Sequence, residues 1–75
     1  MSQMRHFTAV IQREGNAYVA LCPELDIASQ GLSVEDARAN LVEAIELFFE
    51  TASSTEIEER LHPEVYVTRV EIALA

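Results

Sequence analysis

Residues 18–31 read Tyr-Val-Ala-Leu-Cys-Pro-Glu-Leu-Asp-Ile-Ala-Ser-Gln-Gly. An apolar run stops at a proline, two acids follow, and a second short run closes on glycine. Proline has no N–H to give a strand ladder, so Pro23 ends the first run. Pro23 and Asp26 are ordinary turn residues, and a turn here joins two antiparallel strands. Leu25 is expected to tuck beneath the connection. Residues 17–22 and 27–30 are then consecutive strands of one sheet.

Working back from this turn, Phe7, Ala9 and Ile11 alternate with Thr8, Val10 and Gln12. That period of two marks a strand with one better-buried face, over residues 6–13. Gly15 and Asn16 supply the hairpin between it and its neighbour.

Working forward, Ser33 stands where a side chain caps a helix, with Asp36 three residues on to complete a capping box. Glu35 and Asp36 suit the positive end of the helix dipole. The helix is expected to run to about Thr51. At about 100° per residue, Val34, Ala37, Leu41, Ala44, Ile45, Phe48 and Ala52 form one apolar stripe, flanked by Val42 and Phe49. The far face holds Glu35, Glu43, Glu46, Glu50, Asn40 and one apolar misfit, Leu47. Beyond it, Thr51-Ala52-Ser53-Ser54-Thr55 is a helix exit, with Thr55 expected to cap a short turn over residues 56–61 before Pro63.

From Val65 the period returns to two. Tyr66, Thr68, Val70, Ile72 and Leu74 share one face, and Val65, Val67, Arg69, Glu71 and Ala73 share the other. The expected fold is therefore α+β in the order β-β-β-α-β. A four-stranded mixed sheet is covered on one face by the helix, its last strand returning beside the first by a right-handed crossover. That order is the core of ribonuclease H-like folds. One helix leaves the other sheet face open, with Val10, Val65 and Val67 at risk, so a homo-oligomer is expected.

Composition narrows the function. Seventy-five residues make one domain (1–75) with a thin core, burying roughly 60% of the surface the unfolded chain exposes. One cysteine excludes an internal disulfide framework. No signal-like or membrane-spanning run is visible, so a cytoplasmic protein with no membrane association is expected. Five arginines and no lysine face thirteen acids, for a net charge of −8. Direct nucleic-acid binding needs a basic footprint and is not expected. A basic protein would be steered toward such a chain, although the same charge also serves solubility.

Catalytic constellations are weak. Two-metal phosphodiester cleavage needs acids converging at one end of a sheet. The first strand offers Thr8, Val10 and Gln12, the last offers Glu71, and the helix glutamates face away from the sheet. Cys22 sits at a strand end with no base nearby and reads as a buried structural thiol. His6 and His62 have no ligand spacing with it. No enzyme activity, metal or cofactor is expected.

Several of these pieces together form a pattern. Tyr18-Val19-Ala20-Leu21-Cys22-Pro23-Glu24-Leu25-Asp26, Ser29-Gln30-Gly31, Ser33-Val34-Glu35-Asp36-Ala37-Arg38-Ala39-Asn40-Leu41 and Glu43-Ala44-Ile45 resemble the HicB-like antitoxin family over residues 5–52. The resemblance implies a partly degraded ribonuclease H-like fold without catalytic carboxylates. It implies an antitoxin that binds and blocks a small basic HicA-type toxin, a messenger-RNA ribonuclease. Many family members carry a C-terminal helix-turn-helix or ribbon-helix-helix domain. None follows the final strand here, so promoter binding is not expected. By charge and expected exposure, Glu24, Asp26, Glu43, Glu46, Leu47 and Glu50 are the candidate partner-binding residues. The competing reading is a solitary, self-associating structural or small-ligand-binding domain with no toxin.

Overall fold

The fold is known from a computed structural model that describes residues 4–75. Three strands, β1 (Val10–Glu14), β2 (Ala17–Cys22) and β3 (Ile27–Gly31), form one antiparallel sheet in the order β1-β2-β3. The hairpin between β1 and β2 is two residues long, because Glu14 pairs with Ala17. Its positive φ falls on Gly15, at 61°. That is the first central position, where a type II′ turn needs glycine.

Register divides the side chains between two faces. Ile11, Ala20 and Ser29 are cross-strand partners, as are Cys22 and Ile27. This face packs on the helix α1 (Val34–Thr51) and holds the core of Ala20, Cys22, Leu25, Ala37 and Leu41. The other face carries the pair Val10 and Leu21, both exposed at about two-fifths of their surface.

The helix begins as its sequence dictates. The Ser33 Oγ accepts the Asp36 N–H at 3.0 Å, and the Ser33 carbonyl accepts the Ala37 N–H at 2.9 Å. Just before it, β3 runs so close to the helix that a Cβ on Gly31 would stand 2.5 Å from the Ala37 nitrogen. Only glycine fits that approach. Along the stripe Ala37 and Leu41 are buried, and Ala44, Ile45, Phe48 and Ala52 are partly so. Val34, at the helix start, is exposed.

Three expectations are corrected. The first ladder starts at Val10, so residues 6–9 lie outside it. The second helix, α2, spans Ser54–Arg60 and is capped by Ser53, whose Oγ accepts the Glu56 N–H at 3.2 Å, rather than by Thr55. The largest correction is the fourth strand. Residues 61–75 form no helix or ladder, and the sheet has three antiparallel strands, not four mixed ones. The β-β-β-α-β order and its crossover go with it. The period-two pattern records which residues suit a pleated surface, but pairing also needs a free partner in reach. Here His62 donates its N–H to the Glu24 carbonyl at 2.7 Å, and Pro63 follows. From that anchor the chain becomes an exposed arm. The molecule is correspondingly long, 52 × 28 × 21 Å. No helix among the described residues is long and apolar enough to cross a membrane.

Candidate functional site

The turn at residues 23–26 is more than a connection. Leu25 donates its N–H to the Cys22 carbonyl at 3.3 Å, and its side chain is wholly buried. Asp26 takes a left-handed φ of 53°, a conformation aspartate tolerates better than most residues. Just before them Glu24 points inward, with 9% of its surface exposed.

A buried carboxylate must find donors or lose its charge. Glu24 finds three groups. The Thr8 N–H reaches both of its oxygens at 3.0 Å, and the Thr8 hydroxyl donates to Oε2 at 2.6 Å. The Cys22 thiol lies 3.5 Å from Oε1 as a weak donor. Burial alone pushes the Glu24 carboxyl up, but hydrogen bonds, led by that of the Thr8 hydroxyl, outweigh it and hold the group below its ordinary value. The same neighbourhood acts oppositely on Cys22. Burial comes first, then the hydrogen bond to Glu24, and its thiol is pushed above the usual range. A thiol so placed is a poor nucleophile near neutral pH.

Glu24 was a candidate for partner contact on expected exposure. That premise is overturned: its carboxylate is committed to Thr8. Sequence reasoning missed Thr8 altogether. The available signal was an acid wedged between Cys22 and Leu25, two residues expected to be buried.

The remaining candidates are exposed. Asp26 lies at the rim of the turn, 3.6 Å from His62 Nε2. Glu43, Glu46 and Glu50 lie on the outer side of α1, and Leu47 among them is 59% exposed. The Asp26–His62 contact is the one approach of a basic to an acidic side chain at ion-pair distance among the described residues, so none of the three helix glutamates is paired with an arginine there. Two arginines sit over aromatic rings instead, Arg5 on Phe7 and Arg60 on Phe48, at 5.9 and 5.7 Å from the ring centres. No hydrogen bond joins the turn acids to the helix acids among the described residues.

An open groove of about 740 Å³ lies between residues 4–9, which lead into β1, and one flank of α1. Phe7, Val42, Ile45 and Phe49 give it apolar walls, and Arg38, Glu46 and Glu50 rim it. The Phe7 and Phe49 rings meet at 5.6 Å. Val42 and Phe49 were legible as flanking residues of the apolar stripe, but not as the walls of a groove. Among the described residues no group of three histidines, cysteines or acids converges as a metal-binding set.

Compared with known proteins, the chain matches no family model, no curated protein and no solved structure.

Proposed function

We propose that this chain is an antitoxin-like protein-binding module that neutralises a small basic ribonuclease of the HicA type. The observation that carries the reading is the outer side of α1, where Glu43, Glu46 and Glu50, in no ion pair among the described residues, lie beside the exposed Leu47. Unpaired acids on a chain of net charge −8 favour a basic partner, and an apolar residue among them gives such a partner something to bury. The motif over residues 18–45, from the Cys-Pro-Glu-Leu turn to Glu43-Ala44-Ile45, supports the same reading by its resemblance to HicB-like antitoxins.

On this reading Glu43, Glu46, Leu47 and Glu50 meet the toxin, with Asp26 at the edge of the contact. The module has no reaction of its own and acts in the cytoplasm, as the site of messenger-RNA cleavage requires. The groove between residues 4–9 and α1 favours a second reading, a self-associating structural or small-ligand-binding domain without a toxin.

The test is direct. A small basic ribonuclease of the HicA type is purified, and its cleavage of messenger RNA is followed while this protein is titrated in. Stoichiometric inhibition, lost on simultaneous Glu43→Lys, Glu46→Lys and Glu50→Lys substitution, is expected. Cleavage that continues unchanged at saturating protein overturns the antitoxin reading.

A further inference from the structure

Residues 64–75 have the sequence of a strand and the surroundings of none. Tyr66, Val67, Val70, Ile72 and Leu74 are each between 68% and 90% exposed. Single exposed apolar residues are normal, but five within nine positions of an extended segment are not. Such a segment also leaves its own N–H and C=O groups without a ladder.

The same chain holds a place that lacks a strand. Of the two sheet edges, β3 is the guarded one. Helix α1 packs mainly against β3 and least against β1, the Asn40 Nδ2 donates to the Gln30 carbonyl at 2.7 Å, and Gly31 is pressed under the helix start. Among the described residues nothing pairs with the outer edge of β1. The groove walled by Phe7, Val42, Ile45 and Phe49 lies between α1 and residues 4–9, the segment that leads directly into β1. A strand added there would hydrogen-bond to β1 and set alternate side chains against those walls.

We propose that the arm of one copy is the missing strand of another: residues 64–75 pair with the free edge of β1 in a second copy, with Tyr66, Val70, Ile72 and Leu74 packed into its groove. Each copy carries both a donor strand and a vacant edge, so a two-fold exchange satisfies both at once, whereas a different protein would satisfy only one. The arm does not fill its own chain's edge, because it leaves from the anchor that His62 makes on Glu24 and stays exposed. The proposal needs no toxin and stands apart from the antitoxin reading.

The test uses the full chain. Isotope-labelled and unlabelled protein are mixed, unfolded and refolded together, and nuclear Overhauser effects between labelled and unlabelled copies are recorded. Contacts between copies from the Val70 and Ile72 methyls to the Ile45 and Phe49 side chains are expected, with a light-scattering mass twice 8.4 kDa. A Val70→Asp, Ile72→Asp double substitution should halve that mass while circular dichroism keeps the helix and sheet. Arm-to-groove contacts found only within one copy, contacts between copies that join arm to arm alone, or a mass of 8.4 kDa with no arm contacts each overturn the proposal.

Discussion

Thr8 and Glu24, sixteen residues apart, are joined through three donor–acceptor contacts: the threonine N–H to both carboxylate oxygens at 3.0 Å, and its hydroxyl to Oε2 at 2.6 Å. This link fastens residues 4–9 to the β2–β3 turn, although those residues form no ladder. Bonds to a charged group are each worth about 1.5–3 kcal/mol. Thr8→Val removes the hydroxyl but keeps the N–H, and should cost about 1–3 kcal/mol in urea unfolding. A change within error would show that the hydroxyl bond contributes nothing.

The same link predicts a pH dependence. Glu24 is held below its ordinary value of 4.5 in the folded chain. The folded state therefore binds its proton less readily than the unfolded state does. Its contribution is fully present above that ordinary value and is lost as pH falls through the lower folded one. Subtracting the acid profile of Glu24→Gln from that of the native protein isolates this contribution from the twelve other acids. The difference should be largest near neutrality and shrink as pH drops below 4.5. A difference that grows with acid would contradict the assignment.

Cys22 is fully buried and its thiol is raised, first by burial and then by Glu24. Alkylation at neutral pH should be slow in the native protein and should accelerate in step with unfolding as urea is added. Rapid labelling without denaturant would place the thiol at the surface.

Gly31→Ala places a methyl group 2.5 Å from the Ala37 nitrogen and 2.7 Å from the Asp36 carbonyl carbon. Backbone must move, and overpacking of this kind costs about 1–3 kcal/mol. Gly15→Ala meets no atom within 4 Å, so its cost arises from the positive φ alone. Thermal unfolding of the two variants separates steric from conformational strain. Equal losses accompanied by an undisturbed helix start would argue against the close approach at Gly31.

Reversing Glu43, Glu46 and Glu50 together should leave the fold intact, since all three are exposed and lie outside the apolar stripe. Association with a basic partner should slow strongly at low salt and less at 1 M, where the Debye length is about 3 Å. Asp26→Lys tests the rim of the turn in the same assay. Glu24→Lys does not, because it would put an unpaired cation against buried Leu25 and Cys22. If neither the helix reversals nor Asp26→Lys alter association, the contact lies elsewhere.

The turn, the hairpin and the main helix were legible because each is set locally. Pro23 stops a ladder, Gly15 supplies a positive φ, and Ser33 caps a helix whatever surrounds it. Burial of Cys22 followed from its place at the end of β2, and that of Leu25 from its place beneath the turn. The fourth strand was not legible, because alternation states that a segment can pair without stating with what. Glu24 failed for a related reason. An acid after a proline reads as exposed until its donor is known, and that donor, Thr8, lies sixteen residues away. Among the candidate residues, Glu43, Glu46, Leu47 and Glu50 are exposed as the helical spacing predicts, while the depth of Glu24 could only come from tertiary packing.

Glu24 does more than bind Thr8. Its side chain holds the segment entering the sheet, and its carbonyl accepts the His62 N–H at the root of the arm. One residue thus moors both flanks of the domain to the same bend. A fluctuation that lifts the bend should therefore loosen the entry segment and the arm together, with the Thr8 and His62 amides exchanging through one opening event. Grasping the arm from outside would draw on the N-terminal flank through this one bend.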